Sequence, residues 1–427
     1  MSLEDFQLLD NEPFDNSIIK RDFLKIYHQQ GANLNDSDQN IEFIFGENNN
    51  YHQIGNSYLE FDITVRRDDA VAFPDNNNSR IRMTNNGLAF VFKEGRLSTT
   101  SGSDLEHNKF IGQVSTIMRT LTSKDGDLLS QFDNINEGNG DDDFDSTPLK
   151  KMMINDHDNP NKGKIKGQLA LEHIFGFCKT FKKVTKNLGF HITFKTADLR
   201  GIIFTSIADD INVTINSLYL FVPFLIPNTE TQLMFNESIQ NNYRIFFDEW
   251  YTERRIVTDQ IYQVDIGSAQ SVNSPKYLIC AHQTENRSTP PDKQKKVSSF
   301  DHHNVKKYFV EIDGVRFPRD GVITDYDLND YLDQYKDLKL FYKEYVGEPL
   351  LNPLISYTDM KNKYPIQVID LRFQVDHITP KKIQLFEEYR EVDPPNPPNA
   401  RLYVILIRRR EIEMISDGNK LIEVKVK

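Results

Sequence analysis

Cysteine is almost absent from this 427-residue chain: Cys178 and Cys280 stand far apart and no C-x-x-C occurs. That excludes a disulfide framework and a cysteine zinc site. No surplus of basic residues is present either. Lys and Arg number 51 against 63 Asp and Glu, giving a net charge of −12. A protein whose main work is neutralising nucleic-acid phosphates carries the opposite balance, so sequence-specific nucleic-acid binding is not expected. The longest apolar runs fall far short of the ~20 residues of a membrane-spanning helix. No glycine loop has the spacing to cradle phosphate; the nearest, Lys162-Gly163-Lys164-Ile165-Lys166-Gly167, lacks the Walker pattern and reads as a basic loop. The amino terminus, MSLEDFQLLDNEPFD, has no charged-then-apolar leader, so a reducing compartment is expected.

Aromatic residues are plentiful, with 29 Phe and 18 Tyr beside a single Trp, Trp250. Together with Ile and Val they fill alternating segments, the period of a half-buried strand. The stretch 211–227, INVTINSLYLFVPFLIP, is the longest such segment. Ile211, Val213 and Ile215 alternate with Asn212, Thr214 and Asn216, then 218–222 is continuously apolar, as in a strand covered on both faces. Pro223 and Pro227 are expected to stop its ladder. Residues 57–67 alternate as well, and 57–67 and 81–97 are predicted sheet partners. Phe110, Val114, Ile117, Met118 and Leu121 then fall at helical spacing. The Asn-, Asp- and Gly-rich stretch 133–158 is a solvated loop. It fails as a calcium loop, since a start at Asp133 puts Ile135 third and a start at Asp156 puts Pro160 fifth.

The second half repeats the order. Strands are predicted at 242–253, 260–266 and 276–283, followed by a polar loop over 285–299. Residues 308–317 form a hairpin about Asp313-Gly314, because a type I′ turn needs positive φ at both central positions. A helix marked by Leu328, Leu332, Tyr335, Leu338, Tyr342 and Tyr345 follows, with Asp325 or Asp327 as cap and Gly347 as stop. Strands return at 369–375, 383–386, 402–407 and 421–426, with a turn at Asp417-Gly418 and a stiff connector at 393–399. Each half therefore ends in an alternating strand, a gap and a longer strand with a solid apolar centre, each after a helix. A β-sandwich occurring twice, with a helix inserted midway through each copy, is the economical reading. At this length two units are the default: an amino-terminal arm over 1–40, a first domain over 41–227 and a second over 228–427.

Few residues invite chemistry. Asp301-His302-His303 holds the only adjacent histidine pair; neighbours on a strand face opposite ways, so a shared metal is not expected and a solvated loop is. Cys280 and His282 share a strand face, with Cys178 and Cys280 read as core. Glu387-Glu388 reads as surface charge, and Arg408-Arg409-Arg410 as a solvated strand end or an anionic or intersubunit contact. No catalytic, cofactor-binding or metal residue is assigned, and the chain is not expected to be an enzyme.

Longer segments carry a resemblance: SYLEFDITV, SGSDLEHNKFIGQVSTIMRTLTSKDGDLLSQFD, KYFVEIDGVRFPRDG (307–321), the stretch 342–390 and ARLYVILIRRREIEMISDGNKL (400–421). Over about residues 40–427 the chain resembles the double jelly-roll major capsid proteins of Maverick/Polinton elements and adintovirus-like viruses. The resemblance implies an all-β-dominated fold of two consecutive eight-stranded jelly-roll β-sandwiches. It further implies a homotrimeric, pseudo-hexagonal capsomer tiling an icosahedral shell around double-stranded DNA, with capsomer, penton and minor capsid proteins as partners and the virion as location after assembly in the host cell. The contacts around a three-fold axis are heterologous and close. A domesticated copy that trimerises without building a virion, and a β-sandwich that binds or cleaves carbohydrate, are the alternatives.

Overall fold

The computed structural model describes residues 17–29, 33–46, 51–67, 81–123, 164–205, 211–239, 243–267, 274–288, 297–347, 355–373, 382–390, 400–416 and 421–426. The first half supplies β1 (Ile18–Tyr27), β2 (Asn40–Phe45), β3 (Tyr51–His52), β4 (Tyr58–Arg67), β5 (Ile81–Met83), β6 (Phe92–Thr99) and β7 (Asp104–Lys109). Helix α1 (Ile111–Thr122) then precedes β8 (Lys164–Ala170) and α2 (Gly176–Thr180). The half closes with β9 (Thr185–Lys186), β10 (Phe190–Thr196), β11 (Ile203–Thr205), β12 (Ile211–Pro227) and α3 (Thr229–Ile239). The second half supplies β13 (Tyr243–Val257), β14 (Ile261–Ile266), β15 (Pro275–Gln283), α4 (Glu285–Ser288), β16 (Val305–Ile312) and β17 (Val315–Ile323). After α5 (Leu332–Val346) and α6 (Tyr357–Asn362) come β18 (Gln367–Asp370), β19 (Ile383–Tyr389), β20 (Ala400–Ser416) and β21 (Leu421–Val426).

Each half is a two-sheet sandwich of the same connectivity. In the first, β12 lies between β1 and β4, and β8 flanks β4; the facing sheet runs β2-β10-β6-β7. In the second, the orders are β13-β20-β15-β18 and β14-β19-β16-β17. Matched in chain order, β1, β2, β4, β6, β7, α1, β8, β10 and β12 correspond to β13, β14, β15, β16, β17, α5, β18, β19 and β20. These are two eight-stranded jelly rolls, each with its helix inserted between the fifth and sixth strands.

Several expectations change in this frame. Residues 18–27, expected within an arm, form the first strand of the first sandwich, paired with β12 from Ile18↔Pro227 to Tyr27↔Tyr219. The predicted partnership of 57–67 with 81–97 fails: β4 pairs with β12 and β8, whereas β6 belongs to the facing sheet. Between them residues 84–91 are buried throughout, carrying the chain across the core rather than back along one sheet. Pro223 does not end the ladder. A proline removes only its own donor, and the Pro223 carbonyl still accepts from Gln53 N at 3.0 Å. The continuous apolar run in β12 is not covered on both faces either. A register shift between Ile215 and Ser217 exchanges the inward positions, so Val213 and Ile215 are followed by Leu218, Leu220 and Val222, with Tyr219 and Phe221 outward and half-buried.

The hairpin turn is as expected, with φ of 49° at Asp313 and 85° at Gly314. Gly347 stops α5 in the left-handed conformation. Asp325 does not cap that helix: its carboxylate accepts from the Asp327 and Leu328 amides one turn earlier and pairs with Arg390. The basic stretch read as a loop is partly strand, since Lys164 begins β8. The strand predicted over 369–375 ends at Asp370. The loop 133–158, the connector 393–399 and the turn at Asp417-Gly418 lie outside the described residues.

The core forms three clusters. One fills the first sandwich and takes in Ile245, Phe247 and Ile412 from the second half. One fills the second sandwich between its sheets. The third lies over the outer face of the β13-β20-β15-β18 sheet, where Val114, Ile117, Met118 and Leu121 of α1 pack with Trp250, Tyr277 and Tyr403. The helix of the first half is thus core for the second. Gly176 marks how closely α2 approaches β13: a Cβ there would stand 2.5 Å from Asp248 O and 2.6 Å from Trp250 Cδ1. Gly176→Ala is expected to force the two sandwiches apart locally and destabilise by about 1–3 kcal/mol, read as a lower urea midpoint at unchanged far-UV circular dichroism.

Candidate functional site

The most elaborate polar chemistry of the described residues sits where the two sandwiches meet. Among the described residues strand β13 is an edge, bonded within its sheet only to β20. Edge amides need partners, and side chains of the first sandwich provide them. Glu106 of β7 accepts from Trp250 N at 3.1 Å, and Thr180 Oγ1 accepts from Asp248 N at 2.9 Å. In the reverse direction Lys109 N donates to Thr252 Oγ1 at 2.9 Å. The Glu106 carboxylate also receives the Gly176 and Phe177 amides at 2.9 and 2.8 Å and the Asn108 amide at 2.8 Å. One buried side chain therefore ties β7, the start of α2 and β13 together. Burial pushes the Glu106 carboxyl up to about 8, with Glu249 adding to the rise and the amide donors opposing it.

Arg408 and Arg410 belong to the same seam. Both pair with Glu249, at 2.6 and 3.3 Å, and Arg410 Nη1 donates to Leu105 O across the seam at 2.8 Å. The arginine run is therefore not a free anion site. Alternation along β20 sends Arg409 to the other face, over the Phe246 ring at 4.6 Å.

A second polar cluster lies inside the second sandwich. His282 Nε2 stands 3.0 Å from Glu387 Oε2 and 2.8 Å from Tyr389 Oη, and all three residues are buried. Cys280 and His282 do share a face of β15, and Cys178 and Cys280 are buried free thiols whose pKa values burial raises. Glu387 corrects the surface-charge reading: Glu388 faces out to Lys306, so its neighbour Glu387 faces in. Burial pushes the Glu387 carboxyl up, but His282, Tyr389 and Gln367 outweigh it and hold it below its ordinary value. The cluster bridges the two sheets, from β15 to β19. The histidine pair is not a solvated loop: His302 stacks on Tyr326 at 4.4 Å and His303 is buried beside His282. Among the described residues no group of three His, Cys, Asp or Glu is placed to hold a metal ion. No described helix is long and apolar enough to cross a membrane.

What the arrangement does is mechanical. It locks two copies of one sandwich into a fixed pair, and residues 81–412 match the model of the double jelly roll-like domain; the chain belongs to that family. Among solved structures, the chain is similar to one in the Sputnik virophage particle, at 9% identity and a TM-score of 0.64, covering 98% of this chain and 91% of that one. It is also similar to the Faustovirus major capsid protein (8% identity, TM-score 0.57, 97% and 94% covered). A third similarity is to the mavirus major capsid protein (10%, 0.55, 100% and 93%). At such identities the likeness is one of fold. No curated protein matches the chain in sequence.

Sequence reasoning missed Glu106, because a lone Glu in a short polar strand, DLEHNK, looks like a surface residue. Only the fold reveals it: Leu105 and Glu106 are both buried, which an edge strand shows where something covers it. The Glu106 pKa lies above that of an unfolded chain, so the folded state holds the proton more tightly. Its contribution to stability is then full below about pH 4.5 and is lost as pH rises through about 8. Urea unfolding from pH 5 to pH 8 is expected to show a decline on the order of a few kcal/mol that is absent from Glu106→Gln. Parallel curves for the two proteins would contradict the shift.

Proposed function

We propose that the chain is the structural major capsid protein of an icosahedral double-stranded DNA virus or virus-like transposon, in the Maverick/Polinton and adintovirus-like lineage. One observation carries the reading: two sandwiches of one connectivity are fused through a seam of buried charge and a shared helix. Each chain thereby offers two pseudo-equivalent units, dividing at 227/228 with β1 counted in the first. Three chains about a three-fold axis present six units, the outline that tiles a pseudo-hexagonal lattice, and a heterologous contact repeated three times closes. Similarity in fold to the Faustovirus and mavirus major capsid proteins supports the same role. Its partners are then further copies of itself, penton and minor capsid proteins, and its place is the virion shell, assembled in the host cell.

Purified protein is expected to scatter light as a trimer, three times the 49.7 kDa chain, with a hexagonal outline by negative-stain microscopy. A monomer at every concentration would overturn the capsomer and turn attention to glycan binding. A trimer that forms no shells with its penton and minor partners would favour the domesticated form.

A further inference from the structure

The two sandwiches differ in what lies over corresponding sheets. On the β13-β20-β15-β18 sheet the outer face is aromatic and apolar, and it is buried beneath α1 of the preceding sandwich and α5 of its own. On the corresponding sheet of the first sandwich, β1, β12, β4 and β8, the outer face is also aromatic. Tyr58 stacks on Phe221 at 5.2 Å, Phe23 meets Tyr58 edge-on at 5.5 Å, and Tyr27 meets Tyr219 at 5.3 Å. Among the described residues this face is open along β1, where Tyr27 is 66% exposed and Phe23 43%, with Tyr58, Tyr219 and Phe221 half-buried beside them. The facing sheet of the same sandwich turns charged and polar residues outward, among them Glu42, Glu94, Arg96, His191 and Lys195. An aromatic face on only one side marks a contact surface.

The fold itself indicates the occupant. Helix α1 leaves the first sandwich between its fifth and sixth strands and covers the next sandwich's sheet, with ten of its twelve residues buried. Its counterpart α5 leaves the second sandwich at the same point but has covered no following sandwich. Its outer side and the turn before it stay exposed, with Leu328 at 78% and Leu332 at 63%. Charge agrees. Strand β1, IIKRDFLKIY, has three bases and one acid, and Lys25 Nζ lies 3.5 Å from the centre of the Tyr219 ring. The stretch 325–333, DYDLNDYLD, has four acids and no base, with Asp330 and Asp333 exposed.

We infer that the occupant is a second copy of this chain: the acidic, leucine-bearing turn at 327–333 and the start of α5 dock on the open aromatic face of the first sandwich of the neighbouring subunit. The contact repeats between chains what α1 makes within one. It rests on the capsomer reading and adds to it the identity of the two surfaces.

Site-directed cross-linking tests this against a low background, since both native cysteines are buried. Tyr27→Cys and Leu328→Cys, both at exposed positions, are made in separate chains, co-expressed and treated with a short bis-maleimide. Covalent dimers are expected in the co-expressed sample and in neither variant alone, and the double variant should yield covalent trimers. Cross-links within a single-variant sample would mean a like-on-like contact and overturn the inference. An intact trimer without cross-links overturns it and leaves the capsomer standing, whereas a monomer removes the capsomer reading itself. Slow maleimide reaction at Tyr27→Cys in isolated monomer would show that the chain covers this face with its own residues, which also overturns it.

Discussion

An edge strand with amides to satisfy is the constraint on which this molecule turns. Strand β13 has one hydrogen-bonded neighbour, and its other side faces the first sandwich, where water is excluded. A buried amide without an acceptor costs as much as a lost hydrogen bond or more. Glu106 and Thr180 accept from Trp250 and Asp248, and Lys109 donates back to Thr252. Because these partners come from β7 and the end of α2, the seam fixes the second sandwich against two elements of the first at once.

Burying an acidic side chain to do this is an unusual choice; burial keeps it largely protonated, and its donors satisfy its oxygens. Glu106 receives three backbone amides and one side-chain amide, each replacing a water it gave up. Aromatic rings also close the seam, with Phe177 against Phe247 at 4.9 Å and Arg254 over Phe110 at 4.6 Å. Such a junction favours one relative placement of the sandwiches, which is what a building block requires and a catalyst with a moving cleft does not.

The doubled connectivity also explains why the two halves differ in detail. Both inserted helices occupy the same topological place, but α1 is enclosed between two sandwiches while α5 keeps one side in solvent. The sequences follow: α1, IGQVSTIMRTLT, is apolar or small nearly all round, whereas α5, LDQYKDLKLFYKEYV, keeps charges on its outer side.

Period-2 alternation by itself determined strands such as β4, β12 and β14, the 3.6 spacing both inserted helices, and Asp313-Gly314 the hairpin turn, because these signals depend on residues close together in the chain. It also gave the doubled sandwich, since the order of elements repeats. Which strands share a sheet was decided only by tertiary structure. Strand β6 left the sheet of β4 because the chain crosses the core at 84–91, and 18–27 became a strand because β12, some two hundred positions on, had a free edge. The same holds for function-bearing side chains. Glu106, Glu387 and the arginine pair are surface residues by composition, and what buries them is contributed by segments remote in sequence, whose placement no local pattern records.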